Sequence, residues 1–404
     1  MASLHGVAEQ DVARLGWPHW LYLATDDAAL IEGCWSPAAA VRSARTAAAL
    51  AHRAGARRQG LAVTGAALRA QLRAALTTLG SPPALAGQAG HPLPDQSLAW
   101  TETRLRTLEV QESSSPATAP VLAYAARAEH QLIAEMLSVS AYGPATAARL
   151  FYLGSRAARL SACLSTCLVE TAAAERYALS SVRSGAAAGA GRQVVAGLAT
   201  LAGIHAVLGD PHDALLSVGA ARRVREASSA AHVLDCWEAL ARTRLTDAPA
   251  GLRSLRRAER TVDGTTPTEA ESMQETGLGS GPAPETPPAA LDAMRVALCS
   301  GLAWLEQGHS DRALTEFTAL TSSSPHEDVP SPFAPGVLRY IAQAQLTSGA
   351  VDAAVLSTQQ ATAIAGRLPV ALAEEFRQLF APHLDEPQVR NVLETLPRHG
   401  QTPH

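Results

Sequence analysis

A glycine followed five residues later by an alanine, recurring with apolar positions at fixed offsets, constrains this chain more than any other feature. In Leu201–Ala214 the pair is Gly209 and Ala214, continued on the same helical face by Val218 and Ala221. Gly308 and Ala313 repeat it, with Phe317, Leu320 and then Pro325, where the pattern stops. Gly349, Ala354, Thr358 and Ala361 form another copy. The glycine is the residue best able to end a helix in a left-handed turn, and the alanine suits a point where two helices approach too closely for a larger side chain. Ala313 and Ala354 lie 41 residues apart, as do Ala173 and Ala214, so Leu164, Ala173 and Tyr177 read as a further copy with Leu168 in place of the glycine. The 99 residues from Ala214 to Ala313 accommodate one degenerate pair, Cys236–Leu245 and Gly251–Arg260, plus a linker.

A supersecondary unit repeated at such a period builds by stacking. The pattern therefore predicts an all-α solenoid of about five helix pairs from Val121 onward, with capping helices over Leu372–Phe380 and Pro387–Leu396. Short irregular helices are expected before it, within an N-terminal helical and linker region at 1–112. Stretches rich in Pro, Gly, Ser and Thr divide the rest. Asp263–Pro288 reads as a linker between a first half at 121–262 and a second at 289–397, and Gly80–Gln96 and Ser113–Pro120 are shorter breaks. The apolar content of 47% with aromatics at only 4% is mostly Ala, Leu and Val, which suits closely packed helices.

Composition also excludes chemistry. All 33 basic residues are Arg, so neither a Walker lysine nor a Schiff-base lysine exists. The net charge of −4 offers no global attraction to a phosphate backbone. Five scattered cysteines, Cys34, Cys163, Cys167, Cys236 and Cys299, fit a reducing cytoplasm. The least charged stretch, Val194–Gly209, is too short for a bilayer span, and the first residues lack the basic-then-apolar layout of a secretory signal.

Residues 105–397 resemble the tetratricopeptide-type regulatory domain that actinobacteria attach to an N-terminal helix-turn-helix of the Xre type. The resemblance rests on Ala173, Glu175, Arg176 and Tyr177, on Ala258-Glu259-Arg260, and on the Leu346–Ala354 hairpin. Upstream, Leu15–Leu21, Trp35-Ser36-Pro37 and Arg57–Ala66 are similar to the segment joining the two halves in that family. The resemblance implies a sensor that acts on transcription through a protein, peptide or small ligand held in a concave groove. Only fourteen residues precede Leu15, so DNA contact is expected through a missing or separate helix-turn-helix.

Other readings of particular residues carry less. Ala49–Leu61 has a spacing compatible with a helix-turn-helix turn, but little apolar core accompanies it. Cys163 and Cys167 lie one helical turn apart without a matching His or Cys pair, so no metal and no cofactor is expected. No nucleophile–base or paired-carboxylate constellation can be nominated among the 13 histidines and the acids, which points away from an enzyme. Between Arg222 and Arg260 nine Arg face five acids, a docking stripe for an acidic or phosphate partner or else a solvated helix face. Counting from the turn glycines places Ala158, Ala162, Ala199, Gly203, Leu298 and Leu302 on the inner wall of the solenoid. Arg295, Arg339 and Gln343 are its polar exceptions and the candidate binding residues. A protein or peptide partner, no membrane, and no bar to a homodimer complete the expectation, with a stand-alone interaction scaffold as the alternative to the regulator.

Overall fold

A computed structural model describes residues 9–15, 35–49, 61, 63–85, 91–112, 119–264, 289–322, 334–366 and 368–397. These residues are mostly helical, and among them the strand content is one parallel pair, β1 (His91–Pro92) beside β2 (Ser140–Ala141). The helices before the repeats are α1 (Glu9–Leu15), α2 (Pro37–Ala49), α3 (Gly65–Gly80), α4 (Asp95–Glu112) and α5 (Ala119–Val139). Helical hairpins follow: α6 (Pro144–Cys167) with α7 (Thr171–Ala187), and α8 (Gly191–Leu208) with α9 (Pro211–Ala221). Next come α10 (Ala231–Arg244) with α11 (Ala248–Gly264), α12 (Ala289–Glu306) with α13 (Ser310–Ser322), and α14 (Ala334–Thr347) with α15 (Val351–Ala365). Helices α16 (Val370–Phe380) and α17 (Pro387–Thr395) close the chain. Pro144, Pro211 and Pro387 open their helices, where a missing amide hydrogen is harmless and the fixed φ is already helical.

The turns inside four of the five hairpins share one hydrogen-bond pattern. His309 N–H donates to Trp304 O at 2.9 Å around Gly308, and Ala350 N–H to Gln345 O at 2.8 Å around Gly349. Both glycines are left-handed, at φ 77° and 78°. The same bonds recur around Val169 (Glu170 N–H to Ser165 O, 2.9 Å) and Thr246 (Asp247 N–H to Arg242 O, 2.9 Å), at φ 54° and 63°. In these four hairpins the residue five after this turn position is small and buried: Ala174, Gly251, Ala313 and Ala354. Gly251 is obligatory, since a Cβ there would stand 2.5 Å from Thr243 Oγ1 and 3.0 Å from Ala239 O. Two expectations are thereby corrected. Ala174, rather than Ala173, is the partner of Ala214, and Gly209 is extended (φ −122°), not left-handed. Gly209 instead lies close under the Leu61 side chain and the His205 backbone, whose Cα would stand 3.1 Å from an added Cβ, and the helix after it starts on Asp210, whose side chain accepts from His212 N–H at 2.8 Å.

Each helix of the repeat packs on its neighbour in sequence, and the first helices α6, α8, α10, α12 and α14 also touch one another in succession. The small residues counted as an open inner wall are consumed by this stacking. Ala158, Ala162 and Ala199 are buried in the core, Leu302 is 6% exposed, Leu298 is half-buried, and Gly203 lies against the Trp237 ring, 2.8 Å from where its Cβ would be. Close first-helix packing needs small side chains there, and those side chains are then unavailable to a ligand.

The N-terminal helices are longer and more regular than expected and join the same body. Helix α2 packs on α5 and α7, and α3 packs on α7 and α9. Covered on that side too, α7 is buried along nearly its whole length, from Ala172 to Ala187. Two of its polar residues face the covering layer: Glu175 Oε1 accepts from Val63 N–H (2.9 Å), and Arg183 Nη2 donates to Gln71 Oε1 (2.8 Å) with its guanidinium 5.1 Å from the Trp35 ring centre. Helix α8 is the one described helix long and apolar enough to cross a membrane, and two-thirds of it is buried within this protein.

Candidate functional site

Arg339 and Gln343 lie one turn apart on α14, and the structure joins them: Arg339 Nη1 donates to Gln343 Oε1 at 2.8 Å. The guanidinium also stacks over the neighbouring Tyr340 ring, 4.8 Å from its centre, and its Nε stands 3.0 Å from Glu375 Oε2 on α16. Burial pushes the Glu375 carboxyl up from its usual range, with Arg339 pulling the other way, and burial likewise raises the Tyr340 phenol. Glu375 escaped the sequence reading because it belongs to a closing helix that only the fold brings to α14. Arg295 is on α12, one turn before the buried Cys299, and its positive charge favours that thiolate while burial and Cys236 push the thiol well up. The three candidate residues therefore divide: Arg339 and Gln343 share one cluster with Glu375, and Arg295 stands on another helix.

Seven of the nine arginines from 222 to 260 sort into two populations. Asp235 and Glu238 on α10 are buried acceptors. Arg257 reaches both at 3.0 Å, Arg222 reaches them at 2.5 and 2.7 Å, and Arg242 lies 3.5 Å from Glu238. Arg244 Nη1 donates to the carbonyls of Ala206 (2.6 Å) and Gly209 (3.1 Å), closing the end of α8. These four serve the fold. Arg253, Arg256 and Arg260 lie on the outer face of α11 and are exposed; Arg260 Nε donates to Arg256 O at 3.1 Å, and the side chains of the first two make no hydrogen bond or ion pair among the described residues. The opposite face of α11, Gly251, Ser254, Leu255 and Ala258, is buried.

With Arg257 and Glu259 these exposed arginines line a surface concavity of about 500 Å³. A second, of about 370 Å³, shares Arg256 and Glu259 with it and continues between α11, α12 and α13 over Leu252, Leu255, Ser300 and Trp304. Its far rim carries Arg312 and Glu316, and the Arg312 guanidinium stacks 4.7 Å from the Trp304 ring centre. Spacing along α11 exposes the arginine face to sequence reading, whereas Trp304 and Arg312 join it only through packing of the next hairpin.

Elsewhere, Cys163 and Cys167 are half-buried on α6, and no group of three or more His, Cys, Asp or Glu side chains gathers in metal-binding range among the described residues. The segment weighed as a helix-turn-helix turn lies outside the described residues between 50 and 60, as does the linker beyond Gly264. Comparison with protein-family models, with curated proteins and with solved structures finds no match for this chain.

Proposed function

We propose that the chain is a non-catalytic, tetratricopeptide-like helical-repeat binding module that serves a transcription regulator as its sensor, in the cytoplasm. The observation that supports this reading is the succession of hairpins whose first helices touch one another, four of the five turned by the same hydrogen-bond pattern and closed by a small residue five positions on. Such modules present side chains of successive helices along one continuous surface, and a partner that grips two or more hairpins favours one relative arrangement of them. With the small residues of the first helices buried, recognition falls to polar residues at the edges of the stack, Arg339 and Gln343 among them.

The regulatory part of the reading requires that DNA be contacted by a separate helix-turn-helix. An electrophoretic mobility shift with the DNA flanking the chain's own gene tests it: the 404-residue chain alone leaves that DNA unshifted. A sequence-specific shift by the chain alone overturns this division of labour. Arg339→Ala and Gln343→Ala, assayed by hydrogen exchange with and without a cell extract, test the binding edge. Extract-dependent protection of α14 in the parent and its loss in the variants is the expected result.

A further inference from the structure

We propose that the outer face of α11, together with the trough between α11, α12 and α13, is a docking site for an acidic peptide segment of a partner protein carrying at least one apolar side chain. The proposal deepens the binding-module reading by naming a site and the chemistry of its occupant, and it does not depend on the link to transcription.

Charge is the first argument. Arg253, Arg256, Arg257 and Arg260 follow the i, i+3, i+4, i+7 spacing of one helical face, a span of about 10 Å along the axis. The nearest buried carboxylates, Asp235 and Glu238, are already occupied by Arg222, Arg242 and Arg257. Arg253 and Arg256 therefore present guanidinium forks that nothing among the described residues neutralises. Such forks match carboxylates in two-point geometry.

The trough supplies the second argument. Its floor is apolar, with Leu252 and Leu255, and its wall is Trp304, half-buried under the Arg312 guanidinium. A pre-stacked arginine beside the half-buried Leu252 and Trp304 suits a side chain of Leu or Phe size flanked by acids. Glu259 and Glu316 stand in the same walls. They would face the phosphates of a nucleic acid at every register, whereas a peptide can place an acid opposite each arginine and an amide or hydroxyl opposite each glutamate. The chain's net charge of −4 points the same way. An acidic peptide is thus favoured over a polynucleotide.

The experiment uses the full chain and fluorescence anisotropy at low and at 0.5 M salt. The probes are a fluorescein-labelled twelve-residue peptide of alternating Glu and Asp with two Leu, the same peptide with Lys for each acid, and a single-stranded oligonucleotide of equal charge. Only the first is expected to bind, about tenfold more weakly at high salt. Arg256→Glu with Arg260→Glu should weaken it about tenfold or more, and Trp304→Ala should weaken it while leaving the salt dependence intact. Circular dichroism melts check that the exposed Arg256 and Arg260 substitutions and the half-buried Trp304→Ala leave the fold in place. Equal binding by parent and charge-reversed variant, or tighter binding of the oligonucleotide, overturns the proposal. Residues 263–288 themselves carry five acids and no basic residue. If the peptide binds only once Glu269, Glu271 and Glu275 are replaced by Gln, the occupant is the chain's own segment and a partner protein is overturned as the ligand. A mobility shift in the transcription assay leaves these outcomes unaffected, so failure of one reading is distinguishable from failure of the other.

Discussion

Val169 and Thr246 occupy a backbone conformation that β-branched residues avoid, because Cβ crowds the carbonyl oxygen at positive φ, at a cost of about 1–2 kcal/mol. They nonetheless close their hairpins with the bonds used at Gly308 and Gly349. Thr246→Gly is expected to raise stability by about 1 kcal/mol, since the side chain is exposed and its hydroxyl bonds only the adjacent Leu245 carbonyl. Gly349→Val should cost a similar amount, because nothing crowds its Cβ position and φ alone opposes it. Denaturant midpoints of the two variants moving in the same direction would refute the equivalence of these turns. No side-chain type marks Val169 or Thr246 as left-handed, so counting from glycine places the first copy out of register by one residue. Protonation at single residues gives a second expectation. His130 and His205 are buried and their pKa values fall to about 4, through desolvation in both cases, His205 being partly offset by Asp210. The unfolded chain binds their protons near pH 6.5, so stability is full above that value and is lost as pH falls toward 4, by roughly 3 kcal/mol for each histidine. Asp213 and Glu375, whose pKa values burial raises, act in the opposite sense. Urea midpoints at pH 7.5, 6 and 5 should decline, and His130→Phe should flatten the decline, its aromatic ring keeping contact with Tyr177 while giving up only a 3.4 Å contact with Ser180.

Among the elements, α3 shows how a segment expected to be irregular becomes a helix of 16 residues. Its N-cap, Thr64, makes no capping bond, and the amides at its start are satisfied from outside. Val63 N–H donates to Glu175 on α7, and Gly65 N–H donates to both carboxylate oxygens of Asp213 on α9, at 3.0 and 3.1 Å. Two negative charges at a helix N-terminus favour its dipole, and each charged acceptor satisfies an amide that burial would otherwise leave costly. Asp213→Ala is expected to destabilise by about 1–3 kcal/mol and to raise amide exchange across α3 before it does so in α12–α15. Uniform exchange along the whole chain would contradict the clamp. The carboxylates themselves sit in legible repeats, but that they hold a helix 112 and 148 residues upstream could be learned only from the fold. The arginine face of α11 lies at the other extreme, being written in local spacing, while its Trp304 and Arg312 neighbours are not.

At the scale of the whole molecule, stacking makes stability additive along the chain, with coupling carried by contacts between adjacent hairpins. Among the described residues three apolar clusters meet at one side chain, Trp237 on α10. It packs against the cluster built on α7 and α8, against the one that runs from the end of α8 to α17, and against the smaller group around Cys236 and Cys299. Gly203 on α8 exists to admit it, since an added Cβ would stand 2.8 Å from the ring. Among the described residues, the coupling between the halves is carried by α12, which packs on both α10 and α11. Trp237→Ala removes a large side chain from that junction, at about 3 kcal/mol, and the loss falls on the interface more than on either half. The parent is therefore expected to unfold in one calorimetric transition and Trp237→Ala in two, the earlier belonging to α12–α17, which lack the covering layer of α2 and α3. Gly203→Val should reproduce the split by displacing the ring without removing it. A single transition in both variants, merely shifted to lower temperature, would mean that the halves are coupled through other contacts and that Trp237 is an ordinary member of the core.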